Sequence, residues 1–264
     1  MLKPIIAGLL FGLALLSPPS WATINAAEAM NLSGMQRMLS QRIAKSYLMI
    51  GAEVRADLAE QQLDQSIAKF ESNYLALDAY APTAQIRTAL NDVGQTWQRY
   101  RELALSRPDK QRAPVILELS DQLLAQSELV VQLLERHSGG QSARLVNRSG
   151  RQRMLSQRIA KLYLAMNWHL PVAGLQQSFN QAVEEFDQTL QELQQARQNT
   201  PAIAKGLQQA EAQWRFTRAG FNLSADSRFV PTVIATTSET LLWQMNELTS
   251  QYEEIGRASC RERV

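Results

Sequence analysis

Apolar residues recur at three- and four-residue intervals along most of the chain, which is the spacing of one face of an α-helix. The segment containing Leu119, Leu123 and Val130 is a clear example. Glycine, proline and small polar residues interrupt this pattern and predict the helix boundaries. The interruptions lie near residues 51–52, 81–82, 107–108, 138–140, 170–171, 200–201 and 224–226. The pattern therefore predicts an all-α chain of eight helices.

The helical pattern occurs twice. Residues 31–48 read NLSGMQRMLSQRIAKSYL, and residues 147–164 read NRSGRQRMLSQRIAKLYL, with fifteen of eighteen positions identical. Matching pairs farther along the chain are Phe70 with Phe186, Leu90 with Leu207, Trp97 with Trp214 and Pro114 with Pro231, at offsets of 116 or 117 residues. The repeat predicts two tandem four-helix bundles related by a pseudo-two-fold axis, that is, a pseudodimer.

The first 22 residues have the layout of a secretory signal peptide. Lys3 precedes an apolar run from Ile5 to Leu16, and a small-residue cleavage site ends at Ala22. The run would extend about 18 Å as a helix, which is shorter than the ~30 Å hydrocarbon core of a bilayer. We expect a periplasmic mature chain that begins at Thr23. The alternative is a chain anchored in the inner membrane by this segment.

The other end of the chain differs from the rest. Residues 255–264 carry three arginines without apolar periodicity and resemble a translated sequencing adapter, so we interpret them as a non-native tail. The predicted repeats are then residues 23–139 and 140–254. Without the tail the chain has 24 basic and 24 acidic residues, so the sequence pI of about 8.8 does not favour nucleic-acid binding. The one cysteine, Cys260, also lies in this tail, which argues against a disulfide framework or a thiol nucleophile.

Polar residues shared by the two copies suggest a binding site. On a helix, Ser33 and Arg37 lie along one stripe and Gly34 lies beside it. Small residues above and below a long cation would let another helix approach closely. The second copy repeats the arrangement with Ser149, Gly150 and Arg153.

If the two copies meet through these helices, Arg37 faces Arg153 across the pseudo-axis. Neither eighteen-residue motif contains an acidic residue. Two nearby guanidinium groups without a counter-charge are costly, and arginine does not escape by losing its proton. An anion between them would remove this cost, and guanidinium groups suit planar oxyanions because they donate paired hydrogen bonds. The motif would then occur twice because one site needs two halves.

The pattern S-G-x-x-R-M-x-S-x-R at residues 33–42 and 149–158 resembles the first helix of the periplasmic sensor domain of nitrate/nitrite-sensing histidine kinases. It is also similar to the N-terminal domain of type IV pilus methyl-accepting chemotaxis transducers. The resemblance implies a four-helix sensor bundle that binds nitrate between paired first helices. It implies ligand-binding roles at this interface for Arg37, Arg153, Gly34, Gly150, Ser33 and Ser149. The chain departs from the pattern in having two copies and no visible kinase, linker or methyl-accepting region.

We therefore predict a periplasmic sensor module that binds a small oxyanion, nitrate or nitrite first, and that acts with a protein partner in a signalling or pilus system. The sequence shows no phosphate loop, nucleophile elbow or metal-ligand motif, so we expect no enzymatic activity, cofactor or metal. Two alternatives remain: a helical scaffold without a small ligand, and the truncated ectodomain of a membrane chemoreceptor. Arg42, Lys45, Arg158 and Lys161 are expected to be solvated or paired with acidic neighbours.

Overall fold

A computed structural model describes residues 24–138, 141–221 and 230–261. Within these ranges the chain forms eight helices joined by turns and contains no strand. The first repeat comprises α1 (Ala26–Gly51), α2 (Ala56–Tyr80), α3 (Ala84–Ala104) and α4 (Ala113–Ser138). The second comprises α5 (Gln141–Asn167), α6 (Leu175–Gln194), α7 (Pro201–Phe221) and α8 (Val230–Arg261).

The helix boundaries follow local sequence signals. Asn25 caps α1 by accepting a hydrogen bond from the Glu28 amide, and Thr83 caps α3 through the Ile86 amide. Pro201 is the first residue of α7, where its missing N–H costs nothing. Six of the seven predicted interruptions coincide with helix ends or connections. The seventh, at residues 224–226, and the predicted signal peptide lie outside the described residues.

Each repeat packs as its own four-helix bundle. In the first, α1 packs against α2 and α4, and α3 packs against α4; in the second, α5 packs against α6 and α8, and α7 packs against α8. The duplicated aromatic residues occupy matching core positions. Phe70 lies 4.0 Å from Trp97 between ring centroids, and Phe186 lies 4.1 Å from Trp214. The prediction of two tandem four-helix bundles is confirmed.

The two bundles meet along α1 and α5, which pack against each other at the centre of the molecule. Each of these helices therefore has bundle neighbours on one side and the other repeat on the opposite side. This position buries polar as well as apolar residues, among them Gln36, Gln41, Gln152 and Gln157. Each of the four glutamines donates to a backbone carbonyl of α2, α4, α6 or α8.

Residues of α4 and α8 that occupy matching places in the two bundles are 118 residues apart, whereas the sequence match gave 117. Gln41 donates to the Ser120 carbonyl and Gln157 to the Ser238 carbonyl, so these carbonyls are related by 118 residues. Pro114 and Pro231, which match at 117 residues, are therefore not equivalent in space. One additional residue precedes the packed part of α8.

The predicted tail begins inside α8. This helix continues to Arg261, and Ile255 is partly buried against the core. Ile255 follows the fully buried Tyr252 by three residues and so lies on the same face of the helix. The predicted boundary at residue 254 thus lies inside α8, and the predicted repeat bounds remain a prediction. The adapter origin of residues 255–264 remains a prediction.

Candidate functional site

The two motif arginines lie side by side where α1 meets α5. A Cβ atom added to Gly34 would lie 3.2 Å from Nη2 of Arg153 and 3.5 Å from Nη2 of Arg37. At Gly150 the corresponding distances are 3.1 Å and 3.5 Å. Both guanidinium groups therefore lie beside both glycines, and the missing side chains provide the space that they occupy. We call Arg37 and Arg153 the central arginine pair.

The hydrogen bonds of the central arginine pair are only partly symmetric. Nη2 of Arg37 donates to Oδ1 of Asn147 at 2.9 Å, and Nη2 of Arg153 donates to the carbonyl of Asn31 at 3.4 Å. Asn31 and Asn147 are equivalent residues of α1 and α5. Each arginine thus reaches across the interface to the opposite central helix.

The remaining Nη1 groups have different partners. Nη1 of Arg37 donates to Oε2 of Glu128 at 2.6 Å, whereas Nη1 of Arg153 donates to the neutral Oδ1 of Asn246 at 3.2 Å. Glu128 on α4 and Asn246 on α8 are separated by 118 residues and are therefore equivalent. The first arginine has a direct counter-charge at this position, and the second has an amide.

Both guanidinium groups are fully buried, and the environment disfavours their charged form. Burial lowers the pKa of Arg37, although Glu128 opposes the change. Burial and the charge of Arg37 lower the pKa of Arg153 to about 9, and Glu253 opposes them more weakly. In addition, the Nε atoms of Arg37 and Arg153 are buried and have no hydrogen-bond partner among the described residues. A buried donor without an acceptor costs about 1–3 kcal/mol, so this site would gain from a bound acceptor.

Two carboxylates lie behind the asparagines that contact the central arginine pair, and each accepts a hydrogen bond from one asparagine side chain. Nδ2 of Asn31 donates to Oε2 of Glu253 at 2.7 Å, and Nδ2 of Asn147 donates to Oε2 of Glu135 at 2.6 Å. These two contacts are equivalent in the two repeats. They fix both asparagine side chains, but only that of Asn147 also bonds to an arginine, because Oδ1 of Asn31 has no hydrogen-bond partner among the described residues.

The predicted serines are buried but have other partners. Ser33 Oγ donates to the Met30 carbonyl at 2.9 Å, and Ser149 Oγ donates to the Leu145 carbonyl at 2.8 Å. Ser33 also lines a narrow space inside the first bundle, next to Leu90. The structure therefore brings together the arginines and glycines of the predicted site, while the serine hydroxyls bond to their own helices.

Comparison with known families bears on this arrangement. The family model described as the type IV pili methyl-accepting chemotaxis transducer N-terminal domain matches residues 20–123 and residues 137–228. The two matches together cover more than half of the chain. The chain belongs to this family. No curated protein and no solved structure shows significant similarity to the chain.

The transducer domains are held together by a second set of charges that the sequence did not reveal. On α1, Lys45 and Arg42 both contact Glu239 of α8, and the Arg42 Nη2 to Glu239 Oε2 distance is 2.6 Å. The matching contacts join Lys161 and Arg158 of α5 to Asp121 of α4. We call these two groups the crossed ion pairs, because each joins a central helix to the other repeat.

The crossed ion pairs combine buried lysines with partly exposed carboxylates, since the side chain of Glu239 is 23% exposed and that of Asp121 is 43% exposed. Lys45 and Lys161 have fully buried side chains, and burial lowers the pKa of each, that of Lys161 to about 8. Although burial favours the neutral carboxyl group, Lys45 and Arg42 lower the pKa of Glu239 to about 2. Of the two expectations for these four cations, solvation or pairing with acidic neighbours, the contacts show pairing, and the partners belong to the opposite transducer domain. The acidic residues Asp121 and Glu239 are 118 residues apart, so a comparison at the motif offset of 116 does not align them.

Two grooves are lined by residues that accept hydrogen bonds from the central arginine pair. The groove that Asn246 lines has a volume of about 420 Å³, and we call it the Asn246 groove. The groove that Glu128 lines has a volume of about 370 Å³, and we call it the Glu128 groove. They are equivalent in the two transducer domains, because one lies beside α2 and the other beside α6.

The described residues contain no cluster of three or more histidine, cysteine or acidic side chains suited to a metal ion. Over the same ranges, no helix is both long enough and apolar enough to cross a bilayer.

Proposed function

We propose that the chain is a periplasmic sensor module in which the two transducer domains bind one small oxyanion, nitrate or nitrite first, between Arg37 and Arg153. The observation that carries the proposal is the burial of two guanidinium groups beside the same two glycines, each with an Nε–H that has no acceptor in the described chain. A planar oxyanion offers acceptors to both groups at once.

The surroundings favour an anion on electrostatic grounds. In a site shielded from water, the attraction between a guanidinium group and an anion is stronger than at an exposed surface. Arg153 lacks a direct carboxylate partner at Nη1, so its charge is the less compensated of the two. Gly34 and Gly150 leave room at the interface, whereas Ser33 and Ser149 serve their own helices.

Binding at this place would link the ligand to the relation between the two repeats. An anion held by both arginines would join α1 to α5, the central contact between the bundles. A change there could reach a protein partner through the outer helices. This is how we interpret the sensor role within a family named for chemotaxis transducers.

Calorimetric titration tests the proposal. Nitrate should bind to the parent protein and raise its free energy of unfolding by RT ln(1 + [L]/Kd), which raises the melting temperature. Arg37→Ala and Arg153→Ala should each weaken binding roughly tenfold to a hundredfold, because a charge-assisted hydrogen bond contributes about 1.5–3 kcal/mol. Arg153→Ala should have the larger effect, since Glu128 already offsets Arg37.

Arg148→Ala is the matched control, because this half-exposed arginine lies on the same helix and pairs with Glu192. It should leave nitrate binding unchanged. Undiminished binding in both arginine-pair variants would exclude the shared site. Failure of the parent to bind nitrate, nitrite or any other small oxyanion would favour a helical scaffold instead.

A further inference from the structure

We infer that Glu128 makes the anion site selective for charge, so that the site accepts a single monovalent oxyanion on the Arg153 side and rejects divalent ones such as sulfate. This inference rests on the proposed function and names the ligand class of that site. It starts from one difference between two otherwise matching halves: Glu128 in the first repeat and Asn246 in the second.

Glu128 acts as an internal anion. Its Oε2 atom accepts from Arg37 Nη1 at 2.6 Å and from Arg151 Nη1 at 3.1 Å. Burial alone would raise the pKa of Glu128, but Arg37 and Arg151 hold it below its ordinary value, so the carboxylate is charged at neutral pH. Arg37 therefore already has a carboxylate counter-charge, shared with Arg151, before any ligand binds.

The charges around Asn246 have the opposite balance. The Asn246 groove is lined by two cations, Arg42 and Lys69, and one carboxylate, Glu239. Lys69 is exposed. Asn246 lines this groove and its Oδ1 accepts from Arg153, so one side chain connects the groove to the less compensated arginine.

The Glu128 groove is more acidic. It is lined by two cations, Arg151 and Arg158, and three carboxylates, Asp121, Glu128 and Glu185. Arg151 contacts both Glu128 and Glu185 across this groove. An anion would meet a net negative lining here and a net positive lining in the Asn246 groove.

Glu135 and Glu253 do not alter this difference. They hold Asn147 and Asn31 in the same way on the two sides, so they lower the total positive charge of the site without favouring either arginine. Arg153 is then the member of the pair without a carboxylate on its guanidinium atoms, which favours a ligand with one negative charge. A dianion would bring a second charge close to Glu128, where repulsion in a buried site is strong.

Charge-selective variants test the inference. Nitrate and sulfate affinities are measured by calorimetry for the parent, Glu128→Gln and Asn246→Glu. A unit change of site charge acts twice as strongly on a dianion as on a monoanion, so Glu128→Gln should reduce the preference for nitrate over sulfate by roughly tenfold or more. Asn246→Glu should weaken nitrate binding at least about tenfold, because the new carboxylate pairs with Arg153.

The swapped double variant Glu128→Asn/Asn246→Glu moves the carboxylate to the other half of the pair. It should recover nitrate binding to within a few-fold of the parent, because the site again has one free guanidinium group. Glu118→Gln is the matched control, since it removes one charge from an exposed position of α4. Circular dichroism confirms that each variant is folded.

The outcomes separate the two hypotheses. If the parent binds no oxyanion, the proposed function and this inference both fail. If the parent binds nitrate but Glu128→Gln keeps the parent's preference, or changes it no more than Glu118→Gln does, only the inference is overturned. A folded swapped variant that remains tenfold weaker for nitrate would also overturn it.

Discussion

Arg37 and Arg153 are identical residues at equivalent positions, yet their electrostatic environments differ. The difference comes from one pair of equivalent residues far away in the sequence, Glu128 on α4 and Asn246 on α8. Glu128 compensates Arg37 directly, and Asn246 gives Arg153 only a neutral acceptor. The backbone around the arginines is the same in both repeats, including the adjacent glycine. A site built from duplicated helices can therefore acquire two halves of different charge through a single substitution outside the duplicated motif.

The glycines beside the arginines should matter for binding more than for folding. In Gly34→Ala and Gly150→Ala the new methyl group would lie 3.2 Å and 3.1 Å from Nη2 of Arg153, closer than most carbon contacts, so the guanidinium group must move. Alanine favours a helix over glycine by about 1 kcal/mol, which offsets the packing cost. We expect nitrate affinity to fall about tenfold while the ligand-free melting temperature changes little. Calorimetry and thermal melts measure both, and unchanged affinity in both variants would contradict this role.

The sequence predicted the arginine and glycine parts of the candidate site because these residues are close together on one helix. Spacing along a helix is enough to place Gly34 and Arg37 on neighbouring stripes. Glu128 was not predictable, since it lies on another helix and its counterpart is the chemically different Asn246. Local periodicity does not give the register of α4 against α1, and that register decides which residue meets Arg37.

The central helices α1 and α5 show why polar residues were retained identically in the two copies. Each helix is covered on several sides, so its polar side chains need partners inside the protein. Gln36 and Gln41 bond to carbonyls within the first bundle, and Lys45 bonds to Glu239 of the other repeat. Helix positions and bundle class followed from the sequence pattern. The individual partners were not predicted, because they depend on how α2 and α4 pack against α1 within the bundle and on how α8 of the other repeat meets α1.

The crossed ion pair at Glu239 should give a defined acid sensitivity. The folded-state pKa of about 2 is below the ordinary value of 4.5, so the pair stabilises the fold above pH 4.5, and this stability is lost as pH falls from about 4.5 towards 2. The total loss is on the order of 3 kcal/mol for a shift of this size. Glu239→Gln should be less stable than the parent at pH 7 and should lose less additional stability at pH 3.

Urea denaturation at the two pH values measures this difference in the free energy of unfolding. Glu247→Gln is the control, because Glu247 is an exposed residue of the same helix and its removal should leave the acid sensitivity of the parent intact. An equal pH dependence in the parent and Glu239→Gln would show that the pair contributes no such stability.

Over the whole molecule, each repeat supplies both the cations and the acidic residue needed for the crossed ion pairs. The first repeat supplies the cations Arg42 and Lys45 and also the acid Asp121, and the second supplies Arg158 and Lys161 together with Glu239. Cations from one repeat meet the acid of the other in both directions. This reciprocity is the property of an isologous dimer contact, here realised within one chain.

Each repeat expressed alone should therefore form a homodimer through its central helix. In a dimer of residues 24–138, Lys45 of each copy would meet Asp121 of the other, because Asp121 is equivalent to Glu239. A monomer would expose the face of α1 that packs against α5 and would leave Lys45 without its acidic partner. The same argument applies to residues 141–261.

The two homodimers should differ in ligand response. The first would hold two copies of Glu128 beside its arginines and should bind nitrate poorly, whereas the second would hold two copies of Asn246 and two uncompensated arginines, so nitrate should stabilise it more than it stabilises the full chain. Analytical ultracentrifugation gives the association state, and thermal melts with nitrate give the response. Asp121→Asn in the first repeat should weaken its dimer, and a folded monomer of the unsubstituted repeat would show that the crossed ion pairs do not determine the contact.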